Sequence, residues 1–343
     1  MLTLLSYLYR IIWTIRKGLY DKGLLRVKQL PCPVICVGNI TTGGTGKTPA
    51  VIYISKLLHG KRYRPAVLTR GYKRRSKDPV LLISDGNAIL TTPQESGDEP
   101  YLMAMRLKGI PVVVGADRFN SGRFAIDNFG NNLFILDDGF QHLKLYRDIN
   151  ILLVDASNPV GNASMLPAGI LREPMTGISR ADCIIISRAN EGDKSKTEGL
   201  VRSYNKKSPV FYSTLSVSGL SDASGKTYRS DYFKGKSVLI FSGIGNPDSF
   251  KRSVQKIGGI IKGAIKFNDH HWYNNKDMER ISEEAASFSA DAIITTEKDM
   301  IRITGSGLLK EAFFNKPLLA LKVEIKVEKG FDEWILKKVM GHV

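Results

Sequence analysis

The amino-acid sequence predicts an α/β fold, in which a mostly parallel β-sheet is flanked by helices and a second, smaller α/β domain follows. Short apolar segments that resemble buried strands alternate with helical stretches from residue 33 to about residue 215. A polar stretch then interrupts this pattern, and further apolar segments follow it. The chain of 343 residues is longer than one ordinary core needs, so two domains are expected.

Composition places the chain among globular proteins and leaves its partner open. Apolar residues make up 43% of the sequence and charged residues 24%, unlike the balance of a disordered chain. Fifty basic and 33 acidic residues give a formal net charge of +17, which implies nucleic acid, an anionic membrane or a phosphorylated substrate as partner. Cys32, Cys36 and Cys183 form no CxxC pair, so the pattern disfavours zinc and disulfides and indicates a reducing compartment.

Residues 1–20 predict an amphipathic helix. Its polar side chains recur every three or four residues and form one stripe: Ser6, Arg10, Thr14, Lys17 and Asp21. Large apolar side chains cover the remaining surface: Leu4, Leu5, Leu8, Ile11, Ile12, Trp13 and Ile15. Basic residues interrupt the apolar run before it reaches spanning length, and no secretory cleavage pattern follows. The pattern fits equally a helix lying in an anionic membrane interface and a helix packed on its own domain.

A phosphate-binding loop is predicted between residues 39 and 48. The apolar segment VICVG, the loop NITTGGTGKT and a helical run follow one another, which is the context such a loop requires. Loop N–H groups and the helix N-terminus would bind phosphate oxygens, the lysine would reach the β- and γ-phosphates, and the last threonine would bind Mg²⁺. The predicted nucleotide-binding residues are Thr41, Thr42, Gly43, Gly44, Thr45, Gly46, Lys47 and Thr48. The general consensus has glycine at the position of Thr41, which is a departure.

Carboxylates at three places are candidates for metal binding or catalysis. An apolar strand ends in Asp137 and Asp138, the position at which P-loop enzymes hold Mg²⁺ or its water, although a solvated turn has the same sequence. Asp98 precedes a helical run, where a helix cap is the alternative. Glu173 lies in a glycine- and proline-containing loop, residues 158–178, whose length is typical of functional loops.

Two adjacent histidines, His270 and His271, follow Asp269 near the middle of the second predicted domain. Neighbouring side chains point apart, so the two histidines are not expected to share a metal ion. A general base, or a residue that orients one, fits this pattern better.

In their order and spacing these segments resemble the tetraacyldisaccharide 4′-kinase family of the lipid A pathway. The matching segments lie between about residues 31 and 299: VGNITTGGTGKTP, LTRGY, SGDEP, DDGFQH, PAGILREP, FNDH and ITTEKD. The resemblance implies that the γ-phosphoryl of ATP is transferred, with Mg²⁺, to the 4′-hydroxyl of a tetraacylated glucosamine disaccharide 1-phosphate. A hydrophobic N-terminal helix is typical of that family, and its loop is similar at the position of Thr41.

The resemblance also implies roles for individual residues. Asp98 and His270 would form the catalytic pair, and Lys47 would act on the transferred phosphoryl. The implied metal ligands are Thr48, Asp137, Asp138 and Glu173. The implied partners are the acylated disaccharide and an anionic membrane surface contacted by residues 1–20, with no nucleic acid and no protein partner. The implied location is the cytoplasmic face of the inner membrane, with peripheral attachment.

Five segments are predicted along the chain. They are a membrane-interface helix (1–28), a P-loop kinase domain (29–215), a linker (216–230), a smaller α/β domain (231–316) and a return strand with a C-terminal helix (317–343). The predicted strands are 33–38, 66–69, 111–115, 133–137, 150–155, 182–187, 237–242, 261–265 and 291–295, and 317–326 is expected to pair with 209–218. Closure of the two domains would bring Asp98 and His270 together and exclude water.

Two other functions fit parts of the sequence. A P-loop ATPase or GTPase that drives motion would share the loop, and Glu297-Lys298-Asp299 faintly resembles a guanine-binding motif. Nucleotide hydrolysis without an acceptor would distinguish such a motor from a kinase. A nucleic-acid-binding protein would account for the net charge, but the chain has no basic motif interspersed with aromatic residues.

Overall fold

The computed structural model describes residues 1–61, 63–72, 74–308 and 315–342. The first part of the chain forms α1 (Leu2–Asp21), β1 (Val34–Gly38), α2 (Lys47–His59), β2 (Pro65–Thr69), β3 (Val80–Ser84), α3 (Pro93–Ser96), α4 (Asp98–Arg106), β4 (Val112–Gly115), α5 (Arg118–Phe129), β5 (Leu133–Asp137), β6 (Ile149–Asp155), a 3₁₀ helix (Met175–Arg180), β7 (Cys183–Ser187), α6 (Lys194–Tyr204), β8 (Val210–Ser221) and β9 (Thr227–Tyr228). The rest forms β10 (Ser237–Ser242), α7 (Pro247–Lys256), β11 (Ile260–Lys266), α8 (Asn275–Ser287), β12 (Ala292–Thr296), α9 (Glu297–Gly305), β13 (Leu318–Val327) and α10 (Phe331–Met340).

The described strands join in one sheet, in the order β11-β10-β12-β13-β8-β7-β6-β1-β5-β2-β4-β3, with β9 paired to β8. Most neighbouring pairs are parallel, and β3 is an antiparallel edge strand on β4. The α/β class and the predicted strands are confirmed, whereas β3 and β9 were not predicted. Strand β1 lies between β5 and β6, so the connection from β5 to β6 passes over β1. Ligands usually bind at the carboxyl ends of the strands where the order of a sheet reverses in this way.

Helices cover both faces of this sheet. Side chains alternate along β1, so Ile35 and Val37 pack with residues of α2, α4 and α10, whereas Val34 and Cys36 pack with Trp13 and residues of α5 and α6. The strands are buried on both faces, which accounts for their almost uninterrupted apolar sequence. A second pair of apolar clusters encloses β10 and β12.

An antiparallel pair of strands connects the two halves of the sheet. The pairing runs from Ser213 opposite Val327 to Ser221 opposite Ala320, which confirms the predicted pairing of these two segments. Within the predicted linker 216–230, residues 216–221 continue β8. This segment is mostly polar in sequence, but two of its side chains, Val217 and Leu220, are apolar and pack with residues of β10, β12 and β13. The division into domains stays a prediction.

Helix α1 lies against the first half of the molecule through a narrow face. Ser6 and Trp13 are buried, and the Ser6 hydroxyl donates to Met165 O (2.8 Å) and accepts from Ala168 N (2.9 Å). The sequence placed Ser6 on the polar stripe and Trp13 among the apolar side chains, without choosing between a membrane and the domain, and in the structure both side chains face the domain. Other large apolar side chains of α1 remain exposed: Leu4, Leu5, Leu8, Ile11, Ile12 and Ile15. Over the part of the chain that the structure describes, no helix has the length and hydropathy to cross a membrane.

Candidate active site

The glycine-rich loop lies between the carboxyl end of β1 and the start of α2. Gly43 and Gly46 have φ angles of +102° and +88°, which side chains disfavour, so glycine is needed at both positions. Asn39 donates to the Thr45 hydroxyl (3.0 Å), which fixes the loop from inside. The segment between β6 and β7 packs alongside it, because Thr42 N donates to Ile170 O (2.7 Å). Thr48 is buried in the first turn of α2.

Two consecutive carboxylates at the end of β5 lie beside this loop. Asp138 Oδ1 is 3.6 Å from Lys47 Nζ and 2.7 Å from Arg172 Nη1. Burial opposes ionisation of Asp138, but these two cations lower its pKa overall. Asp137 is buried and accepts a hydrogen bond from the Thr69 hydroxyl (2.8 Å). Burial, together with the negative charges of Glu99 and Asp138, raises the pKa of Asp137 to about 7.

Glu173 is fully buried and lies apart from the other two carboxylates. Its Oε1 accepts from Gln141 (2.7 Å), and its Oε2 is 2.7 Å from Arg180. Among the described residues Oε2 thus has an ion-pair neighbour but no hydrogen-bond partner, and burial raises the pKa of Glu173. Among the residues that the structure describes, no three His, Cys, Asp or Glu side chains form a group that could hold a metal ion. An ion at Asp137 and Asp138 would thus need oxygens from Thr48, phosphate and water as well.

Asp98 and His270, which are 172 residues apart in the chain, are in contact. Asp98 begins α4, and His270 follows β11 in a left-handed backbone conformation (φ +62°). His270 Nδ1 is 3.1 Å from Asp98 Oδ2, and the Tyr72 ring lies 6.0 Å from the imidazole. The structure brings together the two residues that the family resemblance paired.

The surroundings of Asp98 keep it ionised. Burial opposes the charge, but the hydrogen bond from His270 and the positive charges of Lys298 and Arg302 lower the pKa of Asp98 to about 2. Lys298 also pairs with Glu99, the next residue of α4. Because Asp98 stays a carboxylate near neutral pH, it can orient the imidazole of His270 and accept a hydrogen bond.

His271 faces a different part of the molecule. Its Nε2 is 2.9 Å from Asp277, and its ring stacks on Phe267 at 4.8 Å. The two histidines thus point apart, and the His271 ring contacts Asp277 and Phe267.

Several functional side chains were missed by the sequence reasoning. Arg172 binds Asp138, and Arg188 binds Asp155 and donates to Gly44 O (2.6 Å) in the glycine-rich loop. Arg302 contacts Asp98 from α9. The segment LREP contains Arg172, so a signal was present for it. Arg188 follows the apolar strand β7 and Arg302 lies among apolar residues of α9, and neither belongs to a recognisable motif. Their contacts with the site become visible only in the tertiary structure.

The site defines a class of protein. A strand, a glycine-rich loop and a helix with its lysine form the nucleotide site of a P-loop protein, and carboxylates at the next strand suit its metal ion. A buried aspartate–histidine pair on the same side is suited to activating an acceptor group. Together they define a P-loop kinase.

Comparison with known proteins specifies the family. The family model described as tetraacyldisaccharide-1-P 4′-kinase matches residues 1–340, and the chain belongs to that family. The tetraacyldisaccharide 4′-kinase of Syntrophus aciditrophicus is 39% identical over 351 residues, which cover 98% of this chain and 92% of that protein. The same-named protein of Halothermothrix orenii is 37% identical, covering 97% and 90%. The crystal structure of the "apo" form of LpxK from Aquifex aeolicus in complex with ATP has a TM-score of 0.77 at 35% identity, covering 98% of this chain and 96% of that one.

Proposed function

We propose that this chain transfers the γ-phosphoryl of ATP to the 4′-hydroxyl of a tetraacylated glucosamine disaccharide 1-phosphate, a step of lipid A biosynthesis. The observation that carries the proposal is the contact between Asp98 and His270, 3.1 Å apart, with the adjacent Glu99 within electrostatic reach of Lys47 in the glycine-rich loop. Family membership supplies the nature of the acceptor.

The nucleotide is expected at the loop between β1 and α2. The residues that would hold its phosphates are Thr41, Thr42, Gly43, Gly44, Thr45, Gly46, Lys47 and Thr48. Loop N–H groups and the N-terminus of α2 favour anions. Lys47 is paired with Asp138 and is positioned to exchange this carboxylate for a γ-phosphate oxygen. That exchange would place a fixed cation where charge develops in the transition state.

Mg²⁺ fits the residues present. Asp137 is a buried carboxylate whose pKa is raised by burial and by neighbouring negative charges, and a bound cation would relieve both effects. We expect Asp137, Asp138 and Thr48 to hold the ion, and Glu173 to stabilise the loop around Arg180 instead of binding it directly. When bound, Mg²⁺ would neutralise phosphate charge.

The acceptor hydroxyl would bind at the Asp98–His270 pair. Asp98 fixes the imidazole through Nδ1, which leaves Nε2, 3.9 Å from Asp269 Oδ2, able to take the proton of the hydroxyl. Binding of the acceptor over the pair would exclude water and limit hydrolysis.

A direct assay tests the proposal. Labelled ATP, Mg²⁺ and tetraacyl disaccharide 1-phosphate in detergent should give a labelled lipid on thin-layer plates. Parallel reactions without the lipid should release little phosphate, because the acceptor completes the site. Strong lipid-independent hydrolysis with no labelled lipid would refute the assignment and favour a nucleotide-driven motor.

We further propose that the protein binds the cytoplasmic face of the inner membrane peripherally, through α1. An acceptor with four acyl chains stays in the bilayer, so the active site must reach the surface. Support comes from the large apolar side chains that α1 leaves exposed. Basic residues of the N-terminal segment would add attraction to anionic lipid: Arg10, Arg16, Lys17, Lys22, Arg26 and Lys28.

A further inference from the structure

Arg302 occupies an unusual position between the two halves of the molecule. It lies on α9 and is only 1% exposed, the largest fully buried side chain among the residues that the structure describes. Its Nε is 3.2 Å from Asp98 Oδ2, across the contact between α9 and α4. Its Nη1 donates to Gly243 O (2.9 Å) and to His271 O (3.1 Å). Gly243 O also accepts from His270 N (3.1 Å). Arg302 therefore binds the carbonyl that holds His270 N and the carbonyl of the next residue, His271.

We propose that Arg302 is a positioning residue for phosphoryl transfer, which holds the Asp98 carboxylate and the His270 backbone in a single arrangement. The inference rests on the proposed function, because it takes the Asp98–His270 pair to act on the acceptor hydroxyl. The planar guanidinium suits this task. Its Nη1 donates to the backbone at Gly243 and His271, while Nε, whose N–H donates to Lys298 O (3.2 Å), lies at ion-pair distance from Asp98.

Stability alone does not account for this arginine. A buried ion pair is often no more stabilising than an apolar residue of similar volume, because both charges lose their hydration. Within the described part of the chain, Nη2 of Arg302 is buried without a hydrogen-bond partner, and it lies 3.5 Å from Asp299 Oδ1. A position selected only for packing would not need this charge.

The backbone that Arg302 contacts is held in a sparsely populated conformation. His270 has a φ of +62°, which a histidine adopts only where its surroundings impose it. Asp299 supports the same turn, because it accepts from Gly243 N (3.0 Å) and from the Tyr273 hydroxyl (2.7 Å). Arg302 and Asp299 thus fix Gly243 through its carbonyl and its N–H, and Gly243 fixes His270.

Arg302 also contributes charge to the pair. The charged and titratable groups that face Asp98 are His270 from the loop after β11, Lys298 and Arg302 from α9, and the adjacent Glu99 of α4. Asp269 and the Tyr72 ring lie next to His270. The charge of Arg302 is one of the causes that lower the pKa of Asp98, so removing it would raise that pKa and move the acid limb of activity to higher pH.

The test compares Arg302→Met with Arg106→Met in the full-length protein. Arg106 is a matched control, because it also joins α4 to α9, through Glu297 (2.7 Å), and is mostly buried, but it does not touch the pair. Arg302→Met should lower kcat roughly 100-fold, with KM for ATP changed less than about threefold. The acid limb of kcat should move to higher pH, because the pKa of Asp98 rises when the charge of Arg302 is removed. Arg106→Met should lower the melting temperature but leave kcat within about threefold and the acid limb in place.

Arg302→Lys keeps the charge but loses the forked geometry. Its kcat should fall about tenfold, with the acid limb close to that of the natural protein. A folded Arg302→Met with kcat within about threefold of the natural protein and an unmoved acid limb would overturn the proposal. If that variant does not fold, Arg302→Lys decides, and natural kcat in folded Arg302→Lys would overturn it. Failure of the natural protein to phosphorylate the lipid would instead refute the proposed function.

Discussion

The exposed face of α1 offers the sharpest test of membrane attachment. Ile11 and Ile15 are 55% and 59% exposed, and neither contributes to the buried core of the protein. The double variant Ile11→Ser and Ile15→Ser should preserve the helix, because isoleucine and serine have similar helix propensities. It should also preserve docking, which depends on Ser6, Tyr9 and Trp13.

The expected effect follows from the exposed area. Full burial of an isoleucine contributes about 1.5–3 kcal/mol, so burial of somewhat more than half of each side chain contributes about 1 kcal/mol. The two substitutions together should weaken binding to vesicles by about 2 kcal/mol, or roughly 30-fold in Kd. Electrostatic attraction should persist, so raising the salt concentration should release the variant more completely than the natural protein.

Sedimentation with vesicles of zwitterionic lipid and about one-third anionic lipid measures this change. The control is Leu90→Ser with Ile260→Ser, which removes two side chains of similar exposure (54% and 48%) from other elements. The control should bind as the natural protein does. Equal vesicle binding by all three proteins would refute the reasoning and place the membrane surface elsewhere.

Three further predictions concern the active site. Lys47→Ala should reduce activity at least about 100-fold, because the transferred phosphoryl loses a fixed cation, and activity within about threefold would contradict the assignment of the loop. Asp98→Ala and His270→Ala should each lower kcat strongly and leave ATP binding, measured by titration, nearly unchanged. His271→Ala should do much less, because its partner is Asp277, and a larger loss from His271 than from His270 would show that the pairing is wrong. Asp138→Asn should raise the Mg²⁺ concentration needed for half-maximal rate, and an unchanged dependence would remove Asp138 from the metal site.

The nucleotide half of the site could be predicted from the sequence because its signals are local. The glycine-rich loop, the strand before it and the helix after it are adjacent in the chain, and Asp137 and Asp138 mark the end of an apolar strand. The acceptor half joins Asp98 to His270 across 172 residues, and no spacing rule reaches that far. Only the family resemblance supplied that pair.

Other features depend on tertiary contacts that periodicity does not encode. The sequence pattern of α1 located a polar stripe but not the face that docks on the domain. Ser6 belongs to that stripe, yet it is buried and makes two hydrogen bonds to the segment after β6. Arg302 occurs in the helical segment MIRI, where an exposed arginine is the ordinary expectation. The pairing of Glu173 with Arg180, seven residues later, is a tertiary contact that the loop sequence does not encode, and its role at the metal ion stays a prediction.

Substitution of the exposed face of α1 is a cleaner test than deletion of the helix, because α1 also supports the nucleotide site. The Tyr9 hydroxyl donates to Arg172 O (2.9 Å), and Arg172 N donates to Ile40 O (2.8 Å) at the start of the glycine-rich loop. The guanidinium of Arg172 then binds Asp138, which is the partner of Lys47. Deletion of residues 1–20 would therefore remove the membrane-facing side chains and release the segment that holds the loop. A fall in activity after deletion would not distinguish these two effects. Substitution of Ile11 and Ile15 removes only membrane-facing side chains and leaves the contacts of Tyr9 in place.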